Sequence, residues 1–290
     1  MLTGIVLLFH YRANTAEAFA SIQHILRNEN YLWFWYDLHQ WGTNVLFFCC
    51  YSYFFLSLWQ RHYNYWKTKL IIFLLLLASA YTGNILPQSQ LSLWLSQAIS
   101  HIDLTKAFLS HVIFIPLILI ILFFVIKQKQ HLGFPASQAR LRMTTATIYF
   151  IITSLAIYFI LALSFPELFS QSLASVDPNL NLPVLYYSPP WYLATIYGLY
   201  KITGIVGLVF TGLILLMAPY FTRHIDINWQ KQFYPIAASL LILSFIGFTI
   251  LSMYLYDARN LFLTRCVVIF YFLTWLAIAS YALWELYVKA

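Results

Sequence analysis

The chain is 290 residues long, 62% hydrophobic and 20% aromatic, with 9% charged residues and a formal net charge of +7. A water-soluble domain of that length has too little interior for so much apolar surface, so the soluble globular classes are excluded. The positive balance follows from membrane topology, argued below, and no nucleic-acid partner is expected.

In chain order, the opening "MLTGIVLLF" is apolar but too short to cross a bilayer, which takes roughly 20 residues. It reads as the end of a truncated first helix. It has neither the basic n-region nor the cleavage site of a signal peptide. Residues 13–28, "ANTAEAFASIQHILRN", set apolar residues at helical spacing between polar ones and predict an amphipathic helix on the outer surface. Apolar runs at 32–59, 68–86, 107–126, 144–166, 191–220, 234–256 and 261–286 predict seven full spans. Between them lie a second outer segment at 85–103, a basic inner loop at 127–143 and an outer loop at 167–190 that ends in "SPPWY". The alternation that a barrel needs is missing, so the fold class is an all-α membrane protein, a bundle of transmembrane helices.

Basic residues orient the bundle. Ten of the 16 Lys and Arg residues fall on one set of connections and the C-terminus. Arg12, Arg27, Lys106, Lys201, Arg259 and Arg265 fall on the other set, which is therefore outside. Cys49, Cys50 and Cys266 all sit within apolar runs. No CxxC or CxxCH occurs, which excludes a zinc knuckle and a c-type haem attachment site.

Of the eight histidines, His24, His62, His101, His131 and His224 fall in loops or surface segments and read as solvated. His10 lies near the end of the first stub. His39 and His111 differ. Each sits one to two turns inside the outer end of its span, and the two spans run in the same direction, so the side chains share a depth. Ionisable groups within spans are expensive and tend to mark sites. Two imidazoles at one depth on facing helices can ligate a haem iron axially. They can also simply hydrogen-bond backbone carbonyls. Gly42 follows His39 by one turn, and Gly4 and Gly83 lie at similar depth. Such glycines let a flat macrocycle approach the backbone, or reflect plain helix–helix contact.

Several segments then resemble one family, cytochrome b, the membrane core of cytochrome bc complexes. "LTGIVLLFHYRANTAEAFASIQHI" resembles the end of its first helix and its surface helix. "DLHQWGTN" resembles its second-helix haem motif, "YTGNILPQSQLSLW" the end of its third helix, and "DLTKAFLSH" the entry to its fourth. "SPPWYLATIYGLYK" resembles its PEWY segment. The order and outer-side placement agree over nearly the whole chain. The resemblance implies a haem-binding four-helix region at 1–130 and a C-terminal transmembrane region at 131–290. It implies His39 and His111 as the ligands of an outer haem b, with Gly4, Gly42 and Gly83 giving clearance and Lys106 pairing a propionate.

The family carries a second haem on histidines 14 residues further along each helix, about 21 Å away. Here those positions are Tyr53 and Val125. The glycines paired with Gly42 and Gly83 at the same spacing are replaced by Leu56 and Lys69. One haem b is therefore expected, on the outer side. The acidic residue of PEWY is replaced by Pro190, Tyr36 replaces an arginine, and the outer loop between helices three and four is short. The resemblance leaves His131, Trp191 and Tyr192 as quinone contacts.

One haem does not carry charge across about 30 Å of hydrocarbon, so bifurcating quinol oxidation is not expected. The leading expectation is an electron-transfer subunit of a quinol-linked oxidoreductase complex. Its partners would be the lipid bilayer and other subunits, including another cytochrome or an iron–sulfur protein, and a quinone as possible ligand. The membrane would be the bacterial cytoplasmic or the mitochondrial inner one. The alternative is a degenerate cytochrome b that serves as a scaffold without redox turnover. A transporter is disfavoured by the scarcity of intramembrane charges and by the lack of an inverted repeat.

Overall fold

The structure is a computed structural model that describes residues 1–27, 31–59, 63, 65–89, 92, 102–131, 189–223, 234–252 and 258–289. The described residues are helical, with no strand among them. In chain order they form α1 (Leu2–Leu8), α2 (Ala18–Arg27), α3 (Leu32–Trp59), α4 (Trp66–Ile85) and α5 (Leu104–Leu109). A π-helical turn (Ser110–Phe114) follows, then α6 (Ile115–His131), α7 (Trp191–Arg223), α8 (Tyr234–Ser252) and α9 (Ala258–Lys289). Six helices among the described residues are long and apolar enough to cross a membrane. The expected span at 144–166, and the expected outer loop at 167–190 except its last two residues, lie outside the described residues.

Two compact units divide these elements. The first holds residues 1–46, 78–96 and 101–176, so it contains α1, α2, α5, α6, the start of α3 and the end of α4. In α2 the buried residues are Ala18, Ser21, Ile22 and Ile25, the stripe of an amphipathic helix. Ile22 and Ile25 pack with Leu32 and Tyr36 of α3, and Leu7 and Tyr11 close over them. Tyr11 donates its hydroxyl to the Leu86 carbonyl at 2.7 Å and stacks on Phe108 of α5. That hydroxyl lies outside the spans, and burial pushes its pKa well above the usual range for tyrosine.

The second unit holds residues 47–77, 97–100 and 177–290. Its interior is aromatic. Tyr51 of α3 touches Phe73 of α4, Trp191 of α7 and Phe245 of α8, and Phe54 packs on Trp66 and Phe73. Leu199, Phe248 and Val268 join α7, α8 and α9 in a second apolar cluster.

In hydrocarbon, every backbone polar group needs a partner inside the protein. Polar side chains of the spans mostly bond their own helix: Thr43 to the His39 carbonyl, Asn44 to Gln40, Thr203 to Leu199, Thr249 to Phe245. The Leu215 carbonyl takes its partner from another helix. Pro219 in α7 has no N–H, so the Leu215 carbonyl one turn earlier loses its helical donor. The Trp66 indole N–H supplies the bond at 2.7 Å.

The run 191–220 reads in the sequence as one span, yet α7 is broken at Gly204, where φ is 65° and ψ −163°. Thirty helical residues would reach about 45 Å, far beyond the hydrocarbon core. Beyond the break, residues 205–223 form about 28 Å of helix, with Ile205, Val206, Val209, Phe210 and Leu213 exposed. Residues 191–203 are a separate helix whose Tyr192, Leu193, Ala194, Tyr197 and Leu199 are buried.

The Gly204 conformation belongs to a region that is essentially glycine-only. Gly204→Ala is expected to cost about 1–3 kcal/mol, whereas Gly212→Ala, in open space on the same helix, is neutral or slightly stabilising. Thermal melts of the detergent-solubilised variants check the contrast. Trp66→Phe is expected to cost about 1–3 kcal/mol by orphaning the Leu215 carbonyl. In a Pro219→Ala background the restored backbone N–H serves that carbonyl, so Trp66→Phe should cost measurably less. Equal costs in both backgrounds would show that the indole bond is not the reason.

Candidate functional site

The first unit brings His39 and His111 together, with ring centroids 6.2 Å apart and planes crossed at 83°. His39 stands two turns into α3. His111 stands in the π turn between α5 and α6. There the Ile115 N–H bonds the Ser110 carbonyl five residues back. Pro116 follows at once and has no N–H to continue the α-helical ladder. Such single-turn π bulges frequently mark functional positions.

Each ring is held from behind by a neighbouring helix. The His39 Nδ1 lies 2.9 Å from the Thr3 hydroxyl of α1. The His111 Nδ1 lies 2.8 Å from the Ser79 carbonyl of α4, and the Ser79 hydroxyl is 3.3 Å from the same atom. A carbonyl only accepts, so His111 carries its proton on Nδ1 and keeps the Nε2 lone pair free for a metal. Beside each of these partners sits a glycine. A Cβ on Gly83 would lie 2.6 Å from the His111 Cε1, and one on Gly4 would lie 3.3 Å from the His39 Cε1. The clearance that Gly4 and Gly83 provide is thus for the imidazole rings themselves.

The residues fit an axially ligated macrocycle. Two metal–imidazole bonds of about 2 Å each, plus the depth of two half-rings, put facing ring centroids about 6 Å apart. Among the described residues no group of three His, Cys, Asp or Glu could hold a metal ion. A tetrapyrrole would fill the coordination positions that two imidazoles leave open.

The other expected site residues are not gathered here. Gly42 lies one turn beyond His39 on α3, partly buried. Lys106 is directed to Asp103, with Nζ 2.9 Å from the carboxylate. Asp103 caps α5 by accepting from the Lys106 backbone N–H at 2.8 Å. That bond, then the bonds and charge of the Lys106 side chain, hold the Asp103 carboxyl below the usual carboxylate range. Trp191 and Tyr192 belong to the second unit. Tyr192 is fully buried, stacked on Phe47 at 4.6 Å, and its carbonyl accepts from the Tyr51 hydroxyl. His131 ends α6, and its side chain lies outside the described residues.

Sequence reasoning missed Thr3, Ser79 and the π turn. The signals for the first two are faint. Ser79 and Gly83 stand one turn apart on α4 as a pair of small residues, and Thr3 precedes Gly4.

Residues 1–117 match the family model for cytochrome b/b6/petB. The matched stretch holds both histidines, Thr3, Gly4, Gly42, Ser79, Gly83 and Lys106. Among solved structures, the chain is similar to a chain of a "Hyperthermophilic respiratory Complex III". The TM-score is 0.78 at 19% sequence identity, covering 98% of this chain and 88% of that one. With its histidine pair inside the matched stretch and its fold shared with that chain over nearly the whole length, the chain is similar to cytochrome b in its first 117 residues and has the fold of that Complex III chain.

Proposed function

We propose that the chain is an electron-transfer subunit of a multi-subunit respiratory membrane complex, and that it holds one b haem between His39 and His111. The observation that carries this reading is the pair of imidazoles, 6.2 Å apart and crossed at 83°, each held through Nδ1 by another helix. When bound, the haem supplies one-electron redox chemistry. The chain supplies two fixed Nε2 ligands, glycine clearance behind each ring and an apolar surrounding.

A count of one rests on what stands 14 residues inward of each histidine. Val125 has no donor atom. Tyr53 lies with its ring 4.7 Å beneath the Lys69 ammonium, so the residue that replaces the family's glycine packs on the residue that replaces its histidine. The electron partner proposed is another redox subunit. Two features weigh against quinol oxidation at the PPWY segment: Pro190 has no acidic group, and the Tyr192 side chain is packed in a core.

A dithionite-reduced minus oxidised spectrum should show a b-type signal, with one haem per chain by pyridine haemochrome assay. His39→Ala and His111→Ala should each abolish it. Two haems per chain would overturn the count, and a silent spectrum would leave the scaffold reading. The glycines grade the expectation. Gly83→Ala must displace the His111 ring and should lose most of the bound haem. Gly4→Ala, whose added Cβ meets the His39 ring at 3.3 Å, should retain more. The reverse order would mean that the rings sit elsewhere in the loaded protein.

A further inference from the structure

The two imidazoles are held alike in position but not in chemistry. Ligation through Nε2 requires the proton of each ring to sit on Nδ1, as N–H. On His111 that N–H meets a backbone carbonyl at 2.8 Å, reinforced by the Ser79 hydroxyl. On His39 it meets a single side-chain hydroxyl, that of Thr3, at 2.9 Å. A carbonyl only accepts, whereas a hydroxyl has two roles and turns to suit its surroundings. The His39 proton is therefore placed by one rotatable group on α1, a separate element from the helix that carries the ring. Gly4, the next residue, lets α1 come close enough for that contact.

We infer that Thr3 is the positioning residue of the His39 ligand: its hydroxyl accepts from the His39 Nδ1–H, fixes the ring's tautomer and lowers the potential of the iron bound there. The inference rests on the bis-histidine reading above. A hydrogen bond to the far nitrogen of a ligating imidazole raises the basicity of the near one. A more basic ligand favours ferric over ferrous iron, so loss of the bond raises the midpoint potential. Removing such outer partners typically costs about 10–100-fold in affinity for the metal group.

Thr3→Val keeps the branched shape and removes only the hydrogen-bonding oxygen, and Thr3→Ser keeps the oxygen. Potentiometric titration of the wild-type b signal comes first, because its absence would defeat the bis-histidine reading before any Thr3 variant is made. With the signal present, Thr3→Val is expected to favour the ferrous form by up to about tenfold, a positive shift of up to about 59 mV for a one-electron couple. Thr3→Ser is expected to stay near wild type. A Thr3→Val protein that keeps its helical circular dichroism but loses pigment, while Thr3→Ser keeps the pigment, likewise supports the hydroxyl as the required group. A wild-type potential in Thr3→Val overturns the assignment. So do equal shifts, or equal pigment loss, in both variants, because then only packing at position 3 matters.

Discussion

An imidazole becomes a fixed ligand only when its second nitrogen is anchored, and the first unit anchors the Nδ1 of both His39 and His111. His39 and His111 reach across from α3 and from the α5–α6 turn. The anchors come from α1 and α4, so four elements must pack at one depth for two side chains to point at one place. The glycines beside the anchors are the steric side of the same arrangement. A side chain at Gly83 would displace the His111 ring, and one at Gly4 would press more lightly on the His39 ring.

Much of this was legible in the sequence, for physical reasons. Apolar runs must have a minimum length to cross hydrocarbon, so the spans at 32–59 and 107–126 were found to within a few residues. A histidine inside such a run is costly, so His39 and His111 stood out. The rotation of each helix was not legible. Soluble helices reveal their inner face by a polar stripe on the other side. In lipid both faces are apolar, and the stripe vanishes. Nothing in "LIIFLLLLASAYTG" said that the Ser79 carbonyl, rather than any other, would face His111. Lys106 illustrates the same limit: its charge was evident, but not that Asp103 three residues earlier would take it.

The second unit was hidden for a different reason. The run from Trp191 looks like a span by composition, but its first half is a buried helix and only its second half faces outward. Hydropathy registers apolar character and does not separate lipid from protein interior. Gly204, where the two halves part, offered only its identity. The Pro219 carbonyl deficit was visible in principle, since a mid-span proline always leaves one acceptor bare. That Trp66 would fill it depended on how α4 meets α7.

The π turn at His111 also bears on how distance along this helix is counted. An α-helix returns to the same face after 14 residues because 14 is close to four turns of 3.6. A π turn accommodates one residue more than an α turn. Every side chain beyond Phe114 is therefore rotated by about 100° relative to an uninterrupted helix. Beyond the bulge, the residue that shares the direction of His111 four turns inward is Ile126, and Val125 points a quarter-turn away. Neither the Val125 nor the Ile126 side chain has a donor atom for iron. The bulge thus separates the register of the outer turns from that of the inner ones, and a single substitution to histidine at position 125 would address the wrong face.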